Sequence, residues 1–398
     1  MNRKIKNLQY FFVCLYFASI NFEVFSPFIE DFSVAKIASF LYFGVSLLTP
    51  KQLFRTDKIQ KYIYLPLLLF LLITLVSIFN INHYSSRFFG TTLLLNIVMF
   101  WLLLNHYRRD NRIFDKGFIW FVIGAALVGT FYLLGIGVEV SLGGRITVFG
   151  DNPNQIGVKM AIASLFLIDY TLNNKSKKIH KPYYLILLIP IVSLLIATAS
   201  RIAFISFIIG VVLFITLLKT RKIYTKLLII LVGLILIIVS FKYLQQTDAT
   251  ILLRLNESVN EGDVSGRDEI WAGFIPVIID NPIFGVGITG KTSVAIKYFG
   301  NDRSPHNVFI EILLYSGIVG LIIFLIFLFY FYKNAYLYYK YNNILYPLLL
   351  SIPVMGLLLS GQLLGVKVAW LIFAIALSRE LSISNYLQYK RQIRKRKK

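Results

Sequence analysis

Residues 183–226 read YYLILLIPIVSLLIATASRIAFISFIIGVVLFITLLKTRKIYTK. Two apolar runs, 183–200 and 202–218, flank a single arginine, Arg201, and the basic cluster Lys219, Arg221, Lys222 and Lys226 follows them. A helix crosses the roughly 30 Å hydrocarbon core with about 17–25 apolar residues, and both runs fit that length. A helix in water buries one stripe, whereas these runs are apolar on every face. In lipid only helices and closed barrels satisfy their backbone polar groups, and a barrel strand would alternate apolar with polar residues. The stretch therefore reads as two membrane-crossing helices with a cation at their outer junction and a basic cluster beyond the second.

The rest of the chain repeats this pattern. Further apolar runs lie near 8–22, 32–49, 61–80, 88–106, 117–137, 155–172, 225–243, 307–332, 344–361 and 363–379, which makes twelve expected spans. Of the 398 residues 57% are hydrophobic and only 15% charged, and the mean hydropathy is +0.70. The formal charge of +22 does not indicate nucleic acid, because the cations fall in alternate connections. Arg3, Lys4 and Lys6, then Lys51, Arg55, Lys58 and Lys61, then Arg108, Arg109, Arg112 and Lys116 mark one side. Lys175, Lys177, Lys178 and Lys181, then Lys333 and Lys340, and the Arg394–Lys398 tail continue the series. The positive-inside rule puts these connections and both termini in the cytoplasm. The first run, with its basic start and no convincing cleavage site, reads as a retained helix. The only cysteine, Cys14, excludes a disulfide within one chain. The expected fold is an all-α, polytopic helical bundle in the cytoplasmic (inner) membrane.

One connection is long. Residues 244–306 form an extracytoplasmic segment in which Ile270, Trp271, Phe274, Ile275, Val277 and Ile278 suggest an amphipathic helix at the interface. Connections of this length are usually functional, so the chemistry is expected to face outward. Lys36, Lys159, Arg201 and Lys367 fall in the outer parts of their helices, and Arg145, Arg254, Arg267 and Arg303 in outer loops. Any one long cation can simply extend its charge to the interface. A whole set on the outer side opposes the usual bias, and a phosphate or diphosphate ligand fits it. His306, after Ser304-Pro305 and at the start of a span, is the candidate base, since a helix N-terminus disfavours its protonation. A histidine there can also serve only as a polar cap. Neither metal-ligand spacing nor a phosphate-binding loop, dinucleotide fingerprint or nucleophile elbow occurs in a convincing context, so no cofactor or metal is expected.

His306-Asn307, with Gly317 and Gly320 following, resembles the signature of the O-antigen ligase and polysaccharide polymerase superfamily (the Wzy and WaaL type). Ser200-Arg201, Gly266–Trp271, Asp280–Gly287 and Pro153-Asn154 fall where that family would place its other segments, so the resemblance covers roughly residues 140–330. It divides the chain into N-terminal helices (1–137), a ligase/polymerase-like core (138–380) and a basic cytoplasmic tail (381–398). The resemblance implies a glycosyltransferase that moves a glycan from a polyprenyl diphosphate to an acceptor hydroxyl, with inversion and without nucleotide or metal. It gives His306 the role of base and Arg201 and Arg267 that of a diphosphate clamp. Lys159, Arg303, Arg145, Asn154 and Asn307 are expected substrate contacts. The expected partners are the polyprenyl-diphosphate-linked oligosaccharide, the acceptor glycan and the lipid bilayer, with a flippase and chain-length regulators as candidate protein partners. A polymerase is preferred to a ligase acting on lipid A core or protein. A lipid-linked oligosaccharide flippase is the alternative from another class, and it would require charges at mid-membrane depth rather than near the outer surface.

Overall fold

A computed structural model of the chain describes residues 3–27, 32–55, 60–79, 86–110, 112–141, 144–172, 182–218, 267–342, 344–361 and 364–378. The helices are α1 (Arg3–Ser19), α2 (Val34–Ser46), the short α3 (Pro50–Leu53), α4 (Gln60–Phe79), α5 (Ser86–Arg109), α6 (Ile113–Leu133) and α7 (Pro153–Leu172). They continue as α8 (Leu188–Ala197), α9 (Arg201–Leu217), α10 (Arg267–Asp280), α11 (Gly287–Phe299), α12 (Val308–Asn342), α13 (Tyr346–Ser360) and α14 (Lys367–Ser378). The expected run 225–243, the first part of the long connection and the basic tail lie outside the described residues.

Among the described residues five helices, α4, α5, α6, α7 and α12, are long and apolar enough to cross a membrane. Helices α2, α8, α9, α13 and α14 are apolar but shorter. The all-α membrane class holds, while the count of twelve spans rests on the sequence alone. Arg145, expected in an outer loop, lies instead on a strand. Helix α6 ends at Leu133, Gly135 and Gly137 take positive φ, and the chain forms a hairpin of β1 (Val138–Ser141) and β2 (Arg145–Val148). Its register pairs Val138 with Val148 and Ser141 with Arg145. Phe149 follows, its ring 4.4 Å from that of Phe25 and 5.6 Å from that of Phe131.

The chain divides into two compact units. In the first, drawn from residues 1–42, 115–263 and 352–356, α7 is the central pillar. It packs on α8, α9 and β2, and Val158 through Phe166 are buried without exception. Gly157 lets the 198–203 segment approach α7, since a Cβ there would crowd Thr198, Ser200 and Ala203.

The second unit comprises residues 43–114, 264–351 and 357–398. Helix α12 packs on α4 and α14, α14 on α5, and α11 on both α4 and α12. Phe100, Phe327, Phe373 and Trp370 fill the centre with edge-on rings. The expected span 307–332 reads as one uninterrupted helix, but α12 is broken at Gly317 (φ 60°, ψ −159°) and continues to Asn342. A break in a membrane helix strands donors and acceptors that lipid cannot satisfy. The 282–286 loop supplies their partners. Ile318 N donates to Pro282 O at 2.8 Å, Val319 N to Ile283 O at 3.3 Å, and Val286 N to Leu314 O at 2.7 Å. This fit needs glycine twice. A Cβ at Gly317 would overlap the Ile283 carbonyl, and one at Gly285 (φ +67°) would sit 2.5 Å from Leu314 O.

Gly317→Ala is expected to destabilise the protein by about 2 kcal/mol or more, from the left-handed backbone and the lost loop contact. Thermal unfolding in detergent checks this, with Gly44→Ala as the control because a Cβ there meets nothing within 4 Å.

Candidate functional site

The cations that the sequence places on one side of the membrane distribute over both units. In the first, Arg145 on β2 donates from Nη2 to Asn154 Oδ1 at 2.6 Å and from Nε to the Thr198 carbonyl at 3.2 Å. Ser200 Oγ donates to the same Asn154 oxygen at 3.0 Å. Hairpin, α7 start and the turn before α9 are thereby tied together. Ala199 in that turn has φ 47°, an unusual strain for alanine. The turn delivers Arg201, half-buried, as the first residue of α9. Because the Ser200 hydroxyl is engaged with Asn154, the first amides of α9 have no side-chain cap. The positive end of the helix dipole and a guanidinium together favour an anion.

Lys159, an expected substrate contact, is paired with two carboxylates. It is 1% exposed, and its ammonium lies 2.8 Å from Asp151 Oδ2 and 3.3 Å from Glu23 Oε2. A buried ammonium requires such pairing. In this geometry Lys159 locks the α7 start to the segments carrying Asp151 and Glu23. Arg145 and Asn154 bond to one another and frame Arg201.

In the second unit α10 opens with Arg267, half-buried, whose Nη2 lies 3.5 Å from the Ser360 carbonyl. Trp271, one turn on, donates its indole N–H to Pro305 O at 2.8 Å and so holds the segment before α12. His306 is half-buried there with φ 49°, its backbone N–H donating to Ser304 Oγ at 3.3 Å. Asn307 is the N-cap of α12, since its Oδ1 accepts from Phe309 N at 2.9 Å and Ile310 N at 3.3 Å. The expected ligand role of Asn307 thus meets a side-chain oxygen already engaged in starting the helix. His306, Arg303, Asp302, Ser304 and Ile270 line a cavity of about 400 Å³. Arg303 is exposed, with its guanidinium 5.7 Å from the Phe299 ring centre.

Burial, then the charges of Arg267 and Lys291, hold the His306 imidazole below its ordinary range. The sequence argument for a neutral histidine invoked the helix dipole, and two cations now join it. A neutral imidazole accepts a proton near pH 7. Three residues escaped the sequence reading. Lys291 on α11 is buried and paired with Asp302, whose other oxygen lies 3.4 Å from Thr292 Oγ1. Glu311 in α12 is 1% exposed, accepts from Tyr315 OH at 3.0 Å, and keeps Oε2 without a hydrogen-bond partner among the described residues. An acid inside an apolar span was a legible signal. The Lys291–Asp302 pair joins residues eleven apart in a connection, where no periodicity links them. Among the described residues no group of three or more His, Cys, Asp or Glu side chains could hold a metal.

Residues 185–325 match a family model described as O-Antigen ligase (Wzy_C). The match contains Arg201, Arg267, the 280–287 loop, His306-Asn307, Gly317 and Gly320, and it supports the O-antigen ligase and polymerase superfamily. No curated protein matches the chain.

Diethyl pyrocarbonate reacts with neutral imidazole, so its rate at His306, mapped by mass spectrometry against pH, reports the titration. The midpoint is expected below 6.5, the ordinary value. In Lys291→Met it should move to higher pH, because removing a cation eases protonation; a midpoint that stays put would show that the ammonium has no influence.

Proposed function

We propose that this chain, O-antigen-ligase-like over residues 185–325, is a repeat-unit polymerase of a cell-envelope polysaccharide. It transfers a glycan from a polyprenyl diphosphate to a sugar hydroxyl on the outer face of the cytoplasmic membrane. The observation that carries the reading is His306, a half-buried imidazole on a cavity wall, kept unprotonated by burial and by the neighbouring charges of Arg267 and Lys291. A base beside cations suits a reaction in which a hydroxyl loses a proton while a diphosphate gains charge.

In the proposed step the acceptor oxygen attacks the anomeric carbon, its proton passes to His306, and the bond from that carbon to the phosphate oxygen breaks. Polyprenyl diphosphate departs with the electron pair, and a single displacement inverts the anomeric centre. The leaving group needs charge stabilisation rather than a proton, unlike the leaving oxygen of a glycosidase. Arg267 offers forked donors for a phosphate oxygen. Arg201, at the uncapped start of α9, is assigned a phosphate-binding role by the same chemistry. Arg303 on the cavity wall is assigned a contact with glycan or diphosphate, whereas Arg145, Asn154 and Lys159 are assigned support of α7 and α9. Twelve spans, cytoplasmic termini and the division at residues 137 and 380 belong to the same reading. A polymerase handles two lipid-linked substrates, which fits the broad set of outer cations. A ligase using the same donor differs only in its acceptor.

Purified protein given a polyprenyl-diphosphate oligosaccharide, with EDTA and no nucleotide, should make a ladder of polymers. His306→Ala should lower the rate by roughly 10²–10⁴-fold, the usual worth of a positioned base, and Arg267→Lys should also lose activity because the fork is gone. A wild type that binds the donor but makes nothing without a lipid A core or protein acceptor would indicate the ligase, and undiminished activity in His306→Ala would remove the base from the mechanism.

A further inference from the structure

The cavity beside His306 contains a carboxylate, which a site built only for a diphosphate would not place there. Asp302 lies in the connection between α11 and α12, four residues before His306, and lines the same cavity. Its carboxylate is held from behind. The buried ammonium of Lys291 is on Oδ1, and the Thr292 hydroxyl is within 3.4 Å of Oδ2. Lys291 keeps only 6% of its side chain exposed, so the pair is anchored in the packed base of the connection. The Asp302 side chain is still 43% exposed. A carboxylate has about four acceptor positions. Two are occupied by Lys291 and Thr292, and the side chain that carries the others lines the cavity.

An ionised carboxylate repels a diphosphate and accepts hydrogen bonds from hydroxyls. We infer that Asp302, clamped by Lys291 and Thr292, is the binding residue for the acceptor sugar, taking hydroxyls of the ring whose attacking oxygen faces His306. This inference rests on the transfer reaction proposed above and adds a division of the site. The Asp302 side of the cavity takes uncharged, hydroxyl-rich acceptor, and the guanidinium side takes the phosphates. Ile270 supplies an apolar wall suited to the C–H face of a sugar ring. A volume of about 400 Å³ falls in the range of small-molecule sites. A bound acceptor hydroxyl next to a neutral imidazole is also the arrangement in which a proton transfer needs no further movement.

The test separates the two ligands and does not depend on turnover. One probe is the oligosaccharide repeat released from its carrier by mild acid, and therefore free of phosphate; the other is polyprenyl diphosphate without sugar. Binding of each to the purified protein in detergent is measured by calorimetry. Asp302→Asn is expected to weaken the phosphate-free oligosaccharide by roughly tenfold or more, the scale of a lost charge-assisted hydrogen bond, and to leave polyprenyl diphosphate unchanged or tighter. Because Asp302→Asn leaves Lys291 unpaired, the double variant Lys291→Met with Asp302→Asn removes the pair together and should show the same selective loss. Retained polyprenyl diphosphate binding is the proof that each variant is folded. Equal oligosaccharide affinity in wild type and both variants would overturn the role of Asp302 and leave the proposed reaction standing. A wild type that binds neither probe would overturn the reaction itself, and the acceptor site with it.

Discussion

Interrupting a membrane helix is costly, because each backbone donor or acceptor released into a lipid-facing environment forfeits its partner. Helix α12 is interrupted at Gly317, and the interruption is tolerated because the 282–286 loop donates Val286 N to Leu314 O and accepts from Ile318 and Val319. This exchange fixes much of the second unit. The loop leads directly into α11, whose first turn is pinned to α4 by hydrogen bonds of Ile288 N and Thr289 Oγ1 to Ser77. Helix α11 then carries Lys291, which holds Asp302, and the connection beyond Asp302 ends at His306. The first half of α12 begins with the Asn307 cap. His306 is therefore held at both ends by elements that converge on the same break.

That arrangement gives a physical meaning to the spacing from His306 to Gly317 and Gly320. Gly317 takes a backbone conformation that side chains rarely adopt, beside a carbonyl that leaves no room for a Cβ. Gly320 faces Ser316 and Leu69, so its spacing serves the approach of α12 to α4. Two segments that look independent in the sequence, Asp280–Gly287 and His306–Gly320, are one structural device. Backbone strain falls beside two of the proposed site residues as well. Among the described residues the non-glycine positions with positive φ are Phe149, Ala199, two residues before Arg201, and His306 itself.

The membrane class was legible because uniform apolar runs with alternating basic connections have few physical alternatives. His306 was legible for a related reason, as a titratable group at the mouth of an apolar helix. The hairpin at 138–148 was not, because four-residue strands next to glycines carry too little periodicity to separate from a loop. The partners of Lys159 were not legible either. Asp151 is eight residues away and Glu23 lies far along the chain, a meeting that only tertiary packing creates. Asp302 and Lys291 escaped notice because a salt bridge inside a long connection has no sequence period. The burial of Lys291 distinguishes it from a solvated charge. Glu311 was visible as an acid within a span, yet the cations drew the reading toward anion binding.

The backbone exchange at Gly317 organises the region presenting His306. Amide hydrogen exchange, read residue by residue in detergent, measures it most directly. Val286 and Ile318, joined to α12 and the loop at 2.7 and 2.8 Å, are expected to exchange as slowly as the buried interior of α12 around Phe324 and Phe327. Exchange of these two amides at the rate of an open turn, while Phe324 and Phe327 stay protected, would contradict it.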